Sequence, residues 1–120
     1  MNCKLCDGEY HLMELVWELE PVTSTDLHKA CLPKLGWKKS TTYTMLRKLC
    51  GRGLLSNQDS VVTSLIKKEE IERYDSRELV EKRFNRSLPK FVAAFLGEQK
   101  LSEAEADELQ RLIEASRQKT

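Results

Sequence analysis

A chain of 120 residues, 40% hydrophobic and 32% charged, can make one small domain, or one domain with an appendage, around a modest core. Its net charge of +1 gives the whole molecule no pull on a polyanion, and no apolar run is long enough to span a bilayer or to form a signal-peptide core. A soluble, cytoplasmic protein with no membrane partner is expected, in which Cys3, Cys6, Cys31 and Cys50 are thiols or metal ligands and not a disulfide frame.

The pattern along the chain starts helical. Leu12, Leu15, Val16 and Leu19 recur at helical spacing and predict a helix over residues 7–19, stopped by Pro21. Thr23, with Asp26 three residues on, starts a second helix as a variant of the capping box. Leu27, Ala30 and Cys31 face inward on it, and Pro33 and Gly36 limit its length. A third helix is predicted from Lys39 to Cys50 with Met45, Leu46 and Leu49 inward, ended by Gly51 and Gly53. Two short β-rich runs follow, Leu54 to Ser56 and Val61 to Leu65, around a four-residue polar turn from Asn57 to Ser60. Three helices and then a hairpin are the order of a winged helix.

The remainder reads as helical: one segment from Lys68 to Arg86, a short one opening near Pro89 and closing at Gly97, and a last one capped by Ser102 with Glu105. The fold class is therefore mainly α. A winged helix-turn-helix domain occupies residues 1–66, and a helical dimerisation region occupies 67–120. Phe84, Leu88, Phe91, Val92, Phe95, Leu96, Leu109, Leu112 and Ile113 are too many large apolar groups for short separate helices to hide. Each contributes roughly 1.5–3 kcal/mol when buried. A second copy presenting the same surface would bury them as an isologous homodimer; folding back on the first domain is the alternative.

Charge is unevenly distributed. From Leu27 to Gln58 there is no Asp or Glu, whereas Lys29, Lys34, Lys38, Lys39, Arg47, Lys48 and Arg52 all fall in that window. From Lys67 onward, twelve basic residues balance twelve acidic ones. A basic window beside a neutral remainder is the footprint of a nucleic-acid-binding face. Within it the third helix carries Ser40, Thr41, Thr42 and Thr44, short hydroxyls able to meet phosphates or base edges. Lys38, Lys39, Arg47 and Lys48 suit backbone neutralisation, Arg47 also a bidentate contact to guanine, and Arg52 with the hairpin turn adjacent phosphates. A hydroxyl run of this kind also serves ordinary helix capping; its place third among three helices, ahead of a hairpin, favours DNA.

These residues have a family resemblance. Residues 5–65 resemble the winged-helix domain of the penicillinase-repressor family, that of the BlaI, MecI and CopY repressors. The match rests on Glu9, Met13, Val16-Trp17, Pro21-Val22-Thr23, Asp26-Leu27, Trp37, the run Thr41-Thr42-Tyr43-Thr44-Met45-Leu46-Arg47-Lys48-Leu49, and Gly53-Leu54-Leu55. The tail is similar in Glu81-Lys82-Arg83-Phe84, Phe91 to Leu96 and Leu101-Ser102. The resemblance implies a homodimeric repressor that binds a palindromic double-stranded operator and dimerises through its C-terminal helices. It also implies release by an antibiotic-type or metal signal, with a sensor protease as a possible partner. Tyr10 stands where the family often has Trp, Lys38 where it often has a capping Ser, and Cys6 and Gly8 where Ser or Thr and Ala are usual. The bond equivalent to the family's cleavage site is Ala94-Phe95, where Ala replaces the usual Asn. The tail has no cysteine, which argues against copper sensing by paired Cys-x-Cys motifs.

Cys3-x-x-Cys6 offers two thiolates at a spacing that can hold one edge of a metal site. His11, or His28 with Cys31, would have to complete it. A chance pair at the start of the first helix is the plainer reading, so no cofactor is expected, and metal or redox use of Cys3 and Cys6 is kept as an alternative. No Gly-rich phosphate loop, paired carboxylates or nucleophile-and-base arrangement points to an enzyme. A winged-helix adaptor that binds protein in place of DNA is the other alternative.

Overall fold

A computed structural model describes residues 3–119. The elements in chain order are α1 (Asp7–Leu19), β1 (Val22–Thr23), α2 (Ser24–Leu35), α3 (Lys39–Gly51), β2 (Leu55–Gln58), β3 (Val61–Ser64), α4 (Lys68–Arg83), α5 (Leu88–Leu96) and α6 (Glu103–Arg117). Six helices and a small antiparallel sheet make the mainly helical winged-helix architecture that the sequence predicts. The chain divides into two compact units between Arg77 and Glu78, within α4.

The first unit is a three-helix core closed by the sheet. Leu12, Met13 and Val16 of α1 are fully buried with Leu27 and Cys31 of α2 and Leu49 of α3. Leu54 and Val62 bring the hairpin into the same cluster, and Ile71 brings in the first half of α4. The helix starts are local. The Thr23 hydroxyl accepts from the Asp26 N–H at 3.1 Å and so caps α2, as predicted. Gly36 ends α2 at φ +69°, a left-handed conformation that glycine adopts without strain. Pro33 lies inside α2, which continues past it to Leu35.

The wing departs from its prediction in two ways. Asn57 and Gln58 do not belong to the turn; they continue β2 and pair with Val62 and Val61. The turn is the two residues Asp59 and Ser60, both at positive φ (52° and 64°), the arrangement that matches the twist of a tight hairpin. The sheet also has a third strand. Val22 and Thr23 pair antiparallel with Val62 and Val61, so that β3 lies between β1 and β2. The base of the wing is fastened from α1: the Glu20 carboxylate accepts from Ser64 N–H at 2.8 Å and from its hydroxyl, and Trp17 Nε1 donates to the Ile66 carbonyl at 2.9 Å.

In the second unit α5 is capped by the Ser87 hydroxyl and α6 by the Ser102 hydroxyl, each accepting an N–H at 3.1 Å. Phe91 packs edge-on against Phe84, and its ring centroid lies 6.1 Å from that of Phe95. No residue of α5 or α6 is buried.

Candidate nucleic-acid interface

The third helix divides its surface by periodicity. Thr42, Leu46 and Leu49 point into the core, while Ser40, Thr41, Thr44, Arg47 and Lys48 are exposed together with Lys38 and Lys39 at its start. Positions 40, 44, 47 and 48 follow helical spacing, so hydroxyls and cations share one solvent-facing side. Its first turn carries no acidic residue.

Two predicted contact residues sit elsewhere. Thr42 is fully buried, and its hydroxyl makes no hydrogen bond of regular geometry. The polar group beside it is the Cys31 thiol, whose ionisation burial pushes up while Thr42 pulls it partly back. Thr42 is therefore placed in the core, its side chain closed to solvent. Arg52 turns back toward α1: Nη1 donates to a Glu9 carboxylate oxygen at 2.9 Å and Nη2 to the Lys4 carbonyl at 2.6 Å. Two of its donor groups are thus held by the protein itself.

Glu9 is the feature that the basic window concealed. It is 4% exposed, accepts the Cys6 N–H at 2.9 Å, and pairs with Arg52 at 2.9 Å and Lys48 at 3.4 Å. Burial alone would raise its pKa; the hydrogen bonds from Cys6 and the Arg52 guanidinium override it and hold the carboxyl at about 2. Lys34 likewise pairs with Glu18 across the surface at 3.6 Å. Lys38, Lys39 and Arg47 make no ion pair among the described residues, which leaves their charge outward.

Tyr43 braces the two helices of the motif. Interaction with the Ser24 side chain, then with Thr25 and Lys39, holds its phenol below the usual range against the effect of burial. Its ring lies 6.4 Å from that of His28 on α2, and the Lys39 ammonium sits 5.9 Å from its centroid. The start of α2 is thereby fixed against the first turns of α3.

The chain matches the family model of the penicillinase repressor over residues 5–115. It belongs to the penicillinase repressor family. Among its relatives, the penicillinase repressor of Bacillus licheniformis is 24% identical over 115 residues, covering 92% of this chain and 90% of that protein. An uncharacterised 16.5 kDa protein of Latilactobacillus sakei, named for its place in the ptsI 3′ region, is 26% identical over 116 residues, covering 93% and 80%. Members of the family are transcriptional regulators and not enzymes. No described helix is long and apolar enough to cross a membrane.

The other predicted sites have clear places. The predicted dimerisation residues fall in the second unit. There Phe91, Val92, Phe95, Leu96, Leu109 and Leu112 line an apolar groove of about 400 Å³, with Glu105 and Glu108 also at its wall. Ala94 and Phe95 are exposed in the last turn of α5. Cys3 is half-buried against the core of the first unit and Cys6 is exposed at the start of α1. No three His, Cys, Asp or Glu side chains among the described residues converge on a metal position.

Proposed function

We propose that this protein is a transcriptional repressor that binds a palindromic operator as a homodimer, with α3 in the major groove and the wing along the phosphate backbone. The observation that carries this reading is the two-faced α3. Lys38, Lys39, Ser40, Thr41, Thr44 and Arg47 are exposed on a helix whose other side is fully buried, with no carboxylate in its first turn. A helix in the major groove needs one side fixed to its own fold and another rich in donors. Lys38, Lys39 and Arg47 neutralise phosphates or, for Arg47, read guanine, while Lys48 contributes from its pairing with Glu9. Arg52 acts in this reading from within, by tying the end of α3 to α1.

The second unit supports the homodimer. Val92, Phe95, Leu109, Leu112 and Ile113 stay exposed around an apolar groove that nothing in that unit fills. Exposed apolar surface of this kind is covered in stable proteins, and a second copy meets it with the same surface.

The test is a fluorescence-anisotropy titration against DNA from upstream of the protein's own gene. If two protomers each present Lys38, Lys39 and Arg47, log affinity should fall against log salt with a slope of about −5. Binding that ignores salt, or that is equal for unrelated DNA of the same length, would sink the reading.

A further inference from the structure

Cys6 adjoins the Glu9–Arg52 pair and shares the segment before α1 with Cys3, and none of the contacts described so far uses the sulfur chemistry of the two. Cys6 is the residue before α1; its N–H donates to Glu9 at 2.9 Å and its thiol is a second donor to that carboxylate. Three residues earlier lies Cys3, and between them Lys4 offers the carbonyl that Arg52 Nη2 grips at 2.6 Å. The two cysteines therefore bracket one arm of the clasp that holds the end of α3.

We propose that Cys3 and Cys6 form a dithiol–disulfide site, oxidised by low-molecular-weight disulfides, whose closure opens the Glu9–Arg52–Lys4 clasp at the end of α3. The bearing of this on DNA rests on the function proposed above; the chemistry at the sulfurs does not. The nearby Glu9 carboxylate is engaged by Arg52 and Lys48, and no three His, Cys, Asp or Glu side chains among the described residues converge on a metal position, so the pair is suited to sulfur exchange and not to metal. The other two thiols are poor competitors. Cys31 is buried, Cys50 is half-buried, and burial pushes the ionisation of both upward.

The exposed Cys6 reacts first. Its sulfur attacks one sulfur of the small disulfide, that S–S bond breaks, and the released thiol carries away the Cys6 proton. The Cys3 sulfur then attacks the Cys6 sulfur of the mixed disulfide and displaces the second small thiol, which takes the Cys3 proton. Two protein thiols are oxidised and one small disulfide is reduced to two thiols. A disulfide requires Cα atoms within about 7 Å, and the ring it closes here contains the Lys4 carbonyl. Closure bends the segment that presents this acceptor to Arg52 and removes the thiol proton from Glu9.

The experiment uses the whole reduced protein, incubated with glutathione disulfide and mapped by alkylation and mass spectrometry. The expected product has lost two hydrogens, carries a Cys3–Cys6 bond, and keeps Cys31 and Cys50 open to alkylation after denaturation. In Cys3→Ser, a glutathione adduct should persist on Cys6. A lasting adduct on Cys6 in the wild type, oxidation at Cys31 or Cys50 in preference, or no reaction would overturn the site. The clasp is read by NMR titration of the Glu9 carboxyl. Its midpoint should rise toward the ordinary carboxylate range on oxidation, and an unchanged midpoint would overturn the opening. Operator affinity of the oxidised form should fall about tenfold, as for a lost charge-assisted contact, and return with dithiothreitol. Unequal thiol chemistry in a protein that binds no DNA even when reduced would overturn the proposed function and support the site.

Discussion

The Glu9 carboxylate on α1 receives the Arg52 guanidinium from the end of α3 at 2.9 Å, across a sequence separation of 43 residues. The pair joins the first helix to the helix proposed to read DNA. It sits where burial and charge both matter, since Glu9 is 4% exposed and its pKa is held at about 2.

Replacing Glu9 by Gln should therefore destabilise the first unit by roughly 1–3 kcal/mol, because Arg52 and Lys48 would keep their charges beside a neutral amide. The pH dependence follows from the lowered pKa. Glu9 stabilises the fold fully above the ordinary glutamate value of 4.5, and this contribution is lost as pH falls toward about 2. Urea denaturation across that window should show wild-type stability falling with acid more steeply than that of Glu9→Gln. Equal slopes would mean that the carboxylate is not clasped in solution.

Arg47 and Thr42 are five residues apart on the same helix and should behave oppositely. Arg47→Ala should cost about 1–3 kcal/mol of operator affinity with little change in stability, as for an outward cation on a DNA face. Thr42→Val should leave affinity unchanged and leave stability equal or higher, since the buried hydroxyl it removes has no regular hydrogen bond. Anisotropy titration and thermal melting of both variants separate the two effects. A loss of affinity in Thr42→Val without a loss of stability would return Thr42 to the interface.

These two residues also mark how far the sequence alone specifies the site. The caps at Thr23, Ser87 and Ser102 involve neighbours within three residues, so the helix starts were visible in the sequence for the first and last of these. Thr42 reads as part of the hydroxyl face because it stands in a run of such residues. Yet 42, 46 and 49 share a side of the helix, and the apolar character of Leu46 and Leu49 already marked that side as inward. The hold on Arg52 is invisible in the sequence because its partner lies outside the acid-free window, and only folding brings Glu9 to it. The two-residue β1 has too little pattern to be seen; it exists because β3 offers it a partner. The tight turn was hidden for a similar reason, since Asp59-Ser60 lacks the glycine that usually announces positive φ.

The wing tip gives a directional test. Asp59 is the acidic residue of the turn, beside Asn57, Gln58 and Ser60, and the wing from Ser56 to Thr63 has no cation. If this wing lies along phosphates, Asp59 opposes binding, and Asp59→Asn should raise affinity about two- to fivefold, more at low salt than at high salt, where the repulsion is already screened. Asn tolerates the positive φ at that position, so the turn is preserved. An affinity that does not move would place the wing tip away from DNA.

The apolar groove of the second unit makes the oligomeric prediction. Phe95 is 72% exposed, so Phe95→Asp removes little packing within one chain and places a charge where the second copy is proposed to sit. Sedimentation equilibrium should show the wild type as a dimer and the variant as predominantly monomer, with dissociation strengthened by about a hundredfold or more for a desolvated charge at an apolar interface. Operator affinity should fall with it, because two linked half-sites bind far more tightly than one. Circular dichroism of the variant should retain its helical signal, which separates loss of the dimer from loss of the fold. A Phe95→Asp protein that remains dimeric would move the contact to another face, and a wild type that is monomeric at micromolar concentration would remove the homodimer altogether.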